Sequence, residues 1–137
     1  MAEAVSTRPL IDKLGVVPGA RVAVLAVDDP EVLALLRDRT PDVTLGEPLP
    51  DTDVVFLGAD STGELEALGR LRERIVPAGA IWVVSRKGKA ATLRDVEVIA
   101  AARANDLVDN KVVAFSATHT ALQLVIPKAL RPREGGR

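Results

Sequence analysis

Two kinds of apolar pattern alternate along this chain. Near-continuous apolar runs occupy residues 21–27, 53–59 and 80–85. Such runs, rich in Val, Leu and Ile, are typical of strands buried on both faces of a parallel sheet. The segments between them space apolar residues three or four positions apart, as an amphipathic helix does. The alternation predicts strands joined by helical crossovers, and therefore an α/β protein.

Helix-start signals follow each predicted strand. Asp29 is placed to cap a helix whose first residue is Pro30. Ser61 begins a capping box with Glu64, and Thr92 is placed to cap the next helix. We therefore expect one helix behind each of the three strands.

Apolar spacing within the later helices predicts their extent and their packing face. The second helix keeps helical spacing as far as Ile75, and Pro77-Ala78-Gly79 is expected to end it. The third helix is expected to pack inward through three apolar side chains, Leu93, Val96 and Ile99.

The ends of the chain complete the predicted fold. A short helix is expected over 6–14, capped by Ser6 or Thr7, and a weak strand over 43–45. Two alternating segments, DNKVVAFSA and TALQLVIP, meet near Thr118-His119 and predict an antiparallel hairpin at one edge of the sheet.

The whole pattern predicts a three-layer, Rossmann-like α/β fold. Its sheet would be mostly parallel, with helices on both faces and a C-terminal antiparallel β-hairpin. We expect one domain over residues 1–130 and a disordered tail over 131–137, RPREGGR.

Composition excludes several classes of function. The 137 residues carry a formal net charge of −1 and only 2% aromatic residues, which argues against a nucleic-acid partner. The chain has no cysteine and one histidine, His119, so neither a disulfide framework nor a Cys/His metal site is expected. The N-terminus lacks a signal-peptide pattern and no apolar run approaches 18 residues. We therefore expect a cytoplasmic protein with no membrane partner.

Three segments resemble the class I S-adenosylmethionine-dependent methyltransferases. They are VVPGARVAVLAV, LRERIVPAGAIWVVS and KVVAFSATHTALQLVIP, and the resemblance spans roughly residues 15–128. It implies that fold, with S-adenosylmethionine as the family's cofactor. Three further segments, RPLIDKLGV, the loop containing Lys87 and Lys89, and LVDNKV, are similar to a family of small uncharacterised bacterial proteins. That similarity implies a bacterial source and no particular reaction.

The chain departs from the methyltransferase pattern where the cofactor would bind. The family's Gly-x-Gly turn after the first strand is replaced by Val27-Asp28-Asp29-Pro30. The nearest match to its ribose-binding acid is Glu47. Only seven residues separate Leu45 from Asp53, too few for a helical crossover of about a dozen residues. The resemblance thus implies a shortened, degenerate relative, and no cofactor is predicted.

Candidate ligand-binding residues stand at the carboxyl ends of the predicted strands. Open parallel sheets bind ligands there, at the point where strand order reverses, which we expect between 21–27 and 53–59. The candidates are Asp28, Asp29, Asp60, Ser61, Lys87 and Lys89. The acids would hold hydroxyls or an amine, and the lysines would meet a phosphate or carboxylate.

Structural explanations compete with these assignments. Capping alone accounts for Asp29, Ser61 and Thr92. The loop RKGK is a common kind of solvated turn, and it is not a phosphate-binding P-loop because Ala90 follows Lys89. No catalytic or metal-ligating residue is assigned.

Three hypotheses about function follow. The first is a non-catalytic methyltransferase-like module that acts through self-association, as a homodimer, or through a protein partner, with TALQLVI as an exposed edge strand. The second is a protein that binds a small ligand, such as S-adenosylmethionine, a nucleotide or an anion. The third, ranked last, is an active methyltransferase, because fold alone does not imply function.

Overall fold

The computed structural model describes residues 9–131, and the order of elements is that of an alternating α/β chain. The helices are α1 (Leu10–Lys13), α2 (Pro30–Arg39), α3 (Leu68–Arg72) and α4 (Asp95–Ala104). The strands are β1 (Val22–Leu25), β2 (Val43–Leu45), β3 (Thr52–Gly58), β4 (Ile75–Arg86), β5 (Val108–Ala114) and β6 (His119–Val125). Short 3-10 helices span Thr62–Ala67, Gly88–Ala90 and Lys128–Leu130.

The six strands form one sheet in the order β2-β1-β3-β4-β6-β5. The first four strands run parallel, whereas β6 is antiparallel to both β4 and β5. The prediction of a mostly parallel α/β sheet with a C-terminal antiparallel hairpin is therefore confirmed. Strand order reverses between β1 and β3, at the predicted position.

Apolar side chains pack on both faces of this sheet, as expected for strands without polar alternation. One face contacts α3 and α4 through residues that include Leu57, Leu68 and Ala102. The other face contacts α1 and α2 and contains Trp82. The indole Nε1–H of Trp82, which is fully buried, donates a 3.1 Å hydrogen bond to the carbonyl of Leu14.

The connection between β2 and β3 is an irregular loop over residues 46–51, with neither helix nor strand. Polar bonds to the rest of the fold hold it in place. The Arg21 guanidinium donates to the Pro50 carbonyl at 2.6 Å, and Arg70 on α3 contacts Glu47. The expected absence of a helical crossover is thus confirmed, and β2 is left as an edge strand.

Two expectations about the middle helices are wrong. Ile75 begins β4 rather than extending a helix, and Pro77-Ala78-Gly79 lies inside that strand at a shift in register against β3. Proline is tolerated there because it lies at an irregularity, where the ladder is already interrupted. The helix after β4 begins at Asp95 with Arg94 as N-cap, and Val96 is 61% exposed while Val98 and Ala102 are buried.

The hairpin also differs from the prediction in one respect that bears on function. TALQLVI belongs to β6, which lies between β4 and β5 and is not an edge strand. At the start of the chain, α1 is shorter than the helix expected over 6–14, and the caps Ser6 and Thr7 lie outside the described residues. The predicted tail also lies outside them except for Arg131, which donates to the Ile126 carbonyl at 2.9 Å.

Candidate functional site

The first element of the candidate site is the start of α2, directly after β1. Asp29 has extended backbone, and its Oδ1 accepts hydrogen bonds from the N–H groups of Glu31 and Val32, each at 3.1 Å. Pro30 at the first helical position has no N–H to offer. The free donors that a helix N-terminus usually presents to an anion are therefore already occupied by the chain's own carboxylate.

The exits of β1 and β3 lie unusually close together. Ala26 has a left-handed backbone, with φ of 60°, so the chain turns away at the end of β1. A Cβ placed on Gly58 would lie 2.1 Å from the carbonyl oxygen of Ala26. Only glycine permits this approach of two backbones at the point where strand order reverses.

Asp60 connects the exits of two neighbouring strands. Its Oδ1 accepts from the backbone N–H of Arg86, and its Oδ2 lies 3.7 Å from the Arg86 Nε. Its own carbonyl accepts a 2.6 Å bond from the Thr92 hydroxyl, and its N–H donates to Glu64 Oε1 at 2.8 Å. Thr92 therefore hydrogen-bonds to Asp60 and does not cap α4, as the sequence predicted it would.

The predicted capping box at Ser61 has a different geometry. The Ser61 hydroxyl makes no bond to a backbone N–H of the following helix and instead contacts Glu64 Oε1 at 3.1 Å. Glu64 accepts from the N–H of Asp60 rather than from that of Ser61. The tighter 3-10 winding of Thr62–Ala67 accompanies this arrangement.

A cavity of about 170 Å³ opens between these exits and the β5–β6 turn. Four of its lining residues are acidic: Asp28, Asp29, Asp60 and Glu64. The rest of the lining is mainly apolar or comes from the hairpin: Ala26, Val27, Gly58, Val84, Phe115, Thr118 and His119. Three of these acids have bonds described above, whereas the Asp28 carboxylate has no hydrogen bond or ion pair with any described residue.

Three of the six candidate residues line the cavity and three do not. Asp28, Asp29 and Asp60 lie together there, as strand-end placement predicts, whereas Ser61, Lys87 and Lys89 are absent from the lining. Lys87 is tied by its backbone N–H to the Thr118 carbonyl at 3.0 Å, and Lys89 is exposed in a 3-10 turn. The expected cleft with acids on one side and cations on the other is therefore wrong for this cavity.

Sequence reasoning missed the contribution of the hairpin turn. The Thr118 hydroxyl lies 2.8 Å from His119 Nδ1, and both residues line the cavity with Phe115. Because β6 runs antiparallel to β4, with His119 opposite Arg86, the turn before β6 must lie at the carboxyl end of β4. The sequence could have indicated this position of the turn. In the predicted hairpin the first strand runs in the same direction as the parallel strands, so the turn after it must lie at their carboxyl ends.

Glu47, the nearest match to a ribose-binding acid, is engaged elsewhere. Its carboxylate forms a two-pronged contact with Arg70, with Nε–Oε1 and Nη2–Oε2 distances of 3.0 and 2.6 Å. The hydrogen bond from Arg70 lowers the pKa of Glu47, and the same contact raises the pKa of Arg70. Across residues 9–131, no group of three or more His, Asp or Glu side chains is arranged to hold a metal ion.

The overall fold is shared with solved structures, several of which are methyltransferases. The pyocyanin biosynthetic protein PhzM superposes with a TM-score of 0.62 at 14% identity, over 84% of this chain and 53% of its own. Magnesium protoporphyrin IX methyltransferase from Synechocystis, solved with bound S-adenosylmethionine, gives 0.56 at 11% identity over 85% and 74%. A SAM-dependent O-methyltransferase from Thermotoga maritima gives 0.56 at 12% identity over 91% and 65%.

These likenesses show the fold alone. This chain is a shortened form of the methyltransferase-like Rossmann fold, and it spans about half the length of PhzM. No protein-family model and no curated protein matches it. Within the described residues, no helix is long and apolar enough to cross a membrane.

Proposed function

We propose that this chain is a non-catalytic module of the methyltransferase-like fold. The observation that carries the proposal is the self-capped start of α2, where Asp29 occupies the N–H groups of Glu31 and Val32. In a fold that binds ligands at this switch point, those are the donors an anionic ligand group would need. Pro30 removes one further donor.

Three further features of this region bear on the binding of S-adenosylmethionine. The acidic residues Asp28, Asp29 and Asp60 would repel the carboxylate of that cofactor but attract its ammonium and sulfonium groups, so the charge of the lining opposes only one of its three charged groups. The cavity at the strand exits, of about 170 Å³, is below the roughly 300–1,000 Å³ common for ligand pockets, but it adjoins an open groove of about 650 Å³ that shares Ala26, Val27 and Asp28 with it. Glu47 lines that groove, and its carboxylate is held by Arg70.

Direct binding measurements test this proposal. Calorimetry and thermal-shift assays with S-adenosylmethionine and S-adenosylhomocysteine should show no binding, and labelled cofactor should transfer no methyl group. A ligand present at a hundred times its Kd adds about 2.7 kcal/mol, which is several degrees of Tm and easily detected. Methyl transfer from labelled cofactor to any substrate would overturn the proposal, and saturable binding of either molecule would contradict the argument from the self-capped start of α2.

We further propose that the module acts by self-association or through a protein partner. The support is geometric, because both outer strands of the sheet, β2 and β5, pair on one side only. Unpaired strand edges are surfaces on which another chain can add. Light scattering after size exclusion, over a wide range of protein concentration, tests the self-association, and a strict monomer throughout would argue against it.

A second candidate function is the binding of a small organic cation in the cavity. The acidic lining favours it, and the uncommitted carboxylate of Asp28 supplies a charge for an amine. Phe115 and Val84 give the same cavity an apolar wall. An anionic ligand, which Lys87 and Lys89 suggested from the sequence, is disfavoured because the lining is acidic and contains neither lysine.

A panel of small amines, with the matching neutral alcohols and carboxylates, distinguishes these ligands. An amine should raise Tm, Asp28→Asn should abolish the shift, and Lys87→Ala should leave it unchanged as the matched control. A shift caused by carboxylates and lost in Lys87→Ala would contradict the cation proposal. The cytoplasmic location and bacterial source stay predictions from the sequence.

A further inference from the structure

The two edges of the sheet differ in how well they are protected from pairing. β5 carries a register shift between Asp109 and Val112, so that Asn110 and Lys111 interrupt its ladder. A bulge and an edge lysine are the usual devices that prevent one sheet from adding to another. β2 has neither, since Val43, Thr44 and Leu45 form a regular, uncharged strand.

The backbone of β2 presents a defined set of groups to the outside. Val22 N–H bonds to the Asp42 carbonyl at 2.9 Å, and Gly46 N–H bonds to the Val24 carbonyl at 2.8 Å. In a parallel ladder, residues 42, 44 and 46 therefore face β1, and the N–H and C=O groups of Val43 and Leu45 face outward. No described residue hydrogen-bonds to those outward groups.

These outward groups are complementary to a second copy of the same strand. An antiparallel pair related by a two-fold axis at Thr44 places Val43 opposite the partner's Leu45, and Leu45 opposite the partner's Val43. Each such pair exchanges two hydrogen bonds, so four would form across the axis. Charge permits this approach, because the strand is uncharged and neighbouring Asp42 is neutralised by Arg21 at 3.0 Å.

Apolar side chains lie along the same edge. Leu45 is 56% exposed and lines an open groove with Leu33 of α2, beside Gly46 and Val24. Val43 and Leu45 share the face of the sheet on which α2 packs, because they are in register with Val22 and Val24. Pairing of two copies would bring each Leu45 against the partner's Val43, an apolar cross-strand contact.

We propose that this protein forms a two-fold dimer through antiparallel pairing of β2 with β2, which makes one continuous twelve-stranded sheet (twice the six strands of one chain). This inference rests on the proposed self-association and names its surface and partner. Because the strand is three residues long, the dimer is weak and reversible, forming at high protein concentration.

Disulfide trapping tests the geometry directly, because the chain has no cysteine of its own. In the proposed pair the two Thr44 residues face each other at a non-hydrogen-bonded position, with Cα atoms about 4.5 Å apart. That distance lies within the disulfide range of about 4.4–6.8 Å. Thr44→Cys should therefore form a covalent dimer under mild oxidation, and Val112→Cys on the β5 edge, the matched control, should not.

A second pair of variants measures the affinity. Leu45→Lys places a charge on the β2 edge and should raise the dimer Kd about tenfold or more, whereas Val112→Lys should change it by less than about twofold. The two wild-type side chains are 56% and 55% exposed, so neither change disturbs the core.

The outcomes separate this inference from the proposal beneath it. A wild-type dimer that neither Thr44→Cys traps nor Leu45→Lys weakens would overturn the β2 pairing and leave self-association standing. A wild-type monomer at every concentration would remove both. Equal cross-linking of Thr44→Cys and Val112→Cys would show random collision and also overturn the inference.

Discussion

Gly58→Ala is the substitution that most directly probes the close exits of β1 and β3. The new Cβ would lie 2.1 Å from the carbonyl oxygen of Ala26 and 2.8 Å from its carbonyl carbon. Both are backbone atoms, so no flexible side chain can move aside. Overpacking usually costs about 1–3 kcal/mol, and we expect about 3 kcal/mol here because a strand exit must shift.

Gly63→Ala is the matched control for this change. An added Cβ there meets nothing nearer than the Ser61 Oγ at 4.0 Å, in a residue of the 3-10 helix. The same chemical change should therefore alter the free energy of unfolding by less than about 1 kcal/mol, and in the stabilising direction because the unfolded chain loses freedom.

Denaturant unfolding followed by fluorescence measures both variants. Trp82 is the single tryptophan and is fully buried, so its emission reports the core. For a domain of this size, 3 kcal/mol lowers Tm by roughly 10–15 °C. If the free energy of unfolding of Gly58→Ala lies within about 0.5 kcal/mol of the wild-type value, Gly58 and the Ala26 carbonyl are not in tight contact. The reasoning about the close exits of β1 and β3 would then be wrong.

Three further changes test other parts of the structure. Asp29→Ala should cost about 1 kcal/mol in urea unfolding through loss of the α2 cap, and Asp29→Asn should recover most of it; equal losses would contradict a capping role. Trp82→Phe should cost about 2–4 kcal/mol, because it leaves a smaller ring and an unpaired Leu14 carbonyl, and a loss below 1 kcal/mol would contradict that contact. The folded pKa of Glu47 is lowered by Arg70, so the pair stabilises the fold above the ordinary Glu pKa of 4.5 and is lost as pH falls through the folded value. A small stability difference between wild type and Glu47→Gln at pH 7 should therefore vanish in acid, and a difference that persists there would have another origin.

The sequence predicted correctly those features that depend on one short segment of the chain. The cap at Asp29 with Pro30 behind it depends only on adjacent residues, and the structure has it as predicted. The buried strands were also predicted from the sequence, because a short run that is apolar on both faces is typical of a strand covered on both sides. The absence of a crossover helix between β2 and β3 followed from chain length alone.

Local signals misled where two of them competed for the same residues. Helical spacing of apolar residues continued through Ile75, but in the structure Ile75 belongs to β4 and pairs with Thr52 of β3. Thr92 has the right character for a cap, yet its hydroxyl is used by the carbonyl of Asp60, thirty-two positions away in the chain. Propensity is a weak prior that tertiary contacts override.

By itself, the sequence determined the α/β class and the placement of acidic residues at the carboxyl ends of the strands. It also determined the start of α2 at Pro30, with Asp29 as its cap. Only the tertiary structure decided which of those acids share a cavity, that Lys87 and Lys89 stand outside it, and that the hairpin turn forms its far wall. It also decided that β6 is interior and that β2 is the unprotected edge. The physical reason is that strand order and cavity lining depend on contacts between residues far apart in the chain, which local periodicity does not encode.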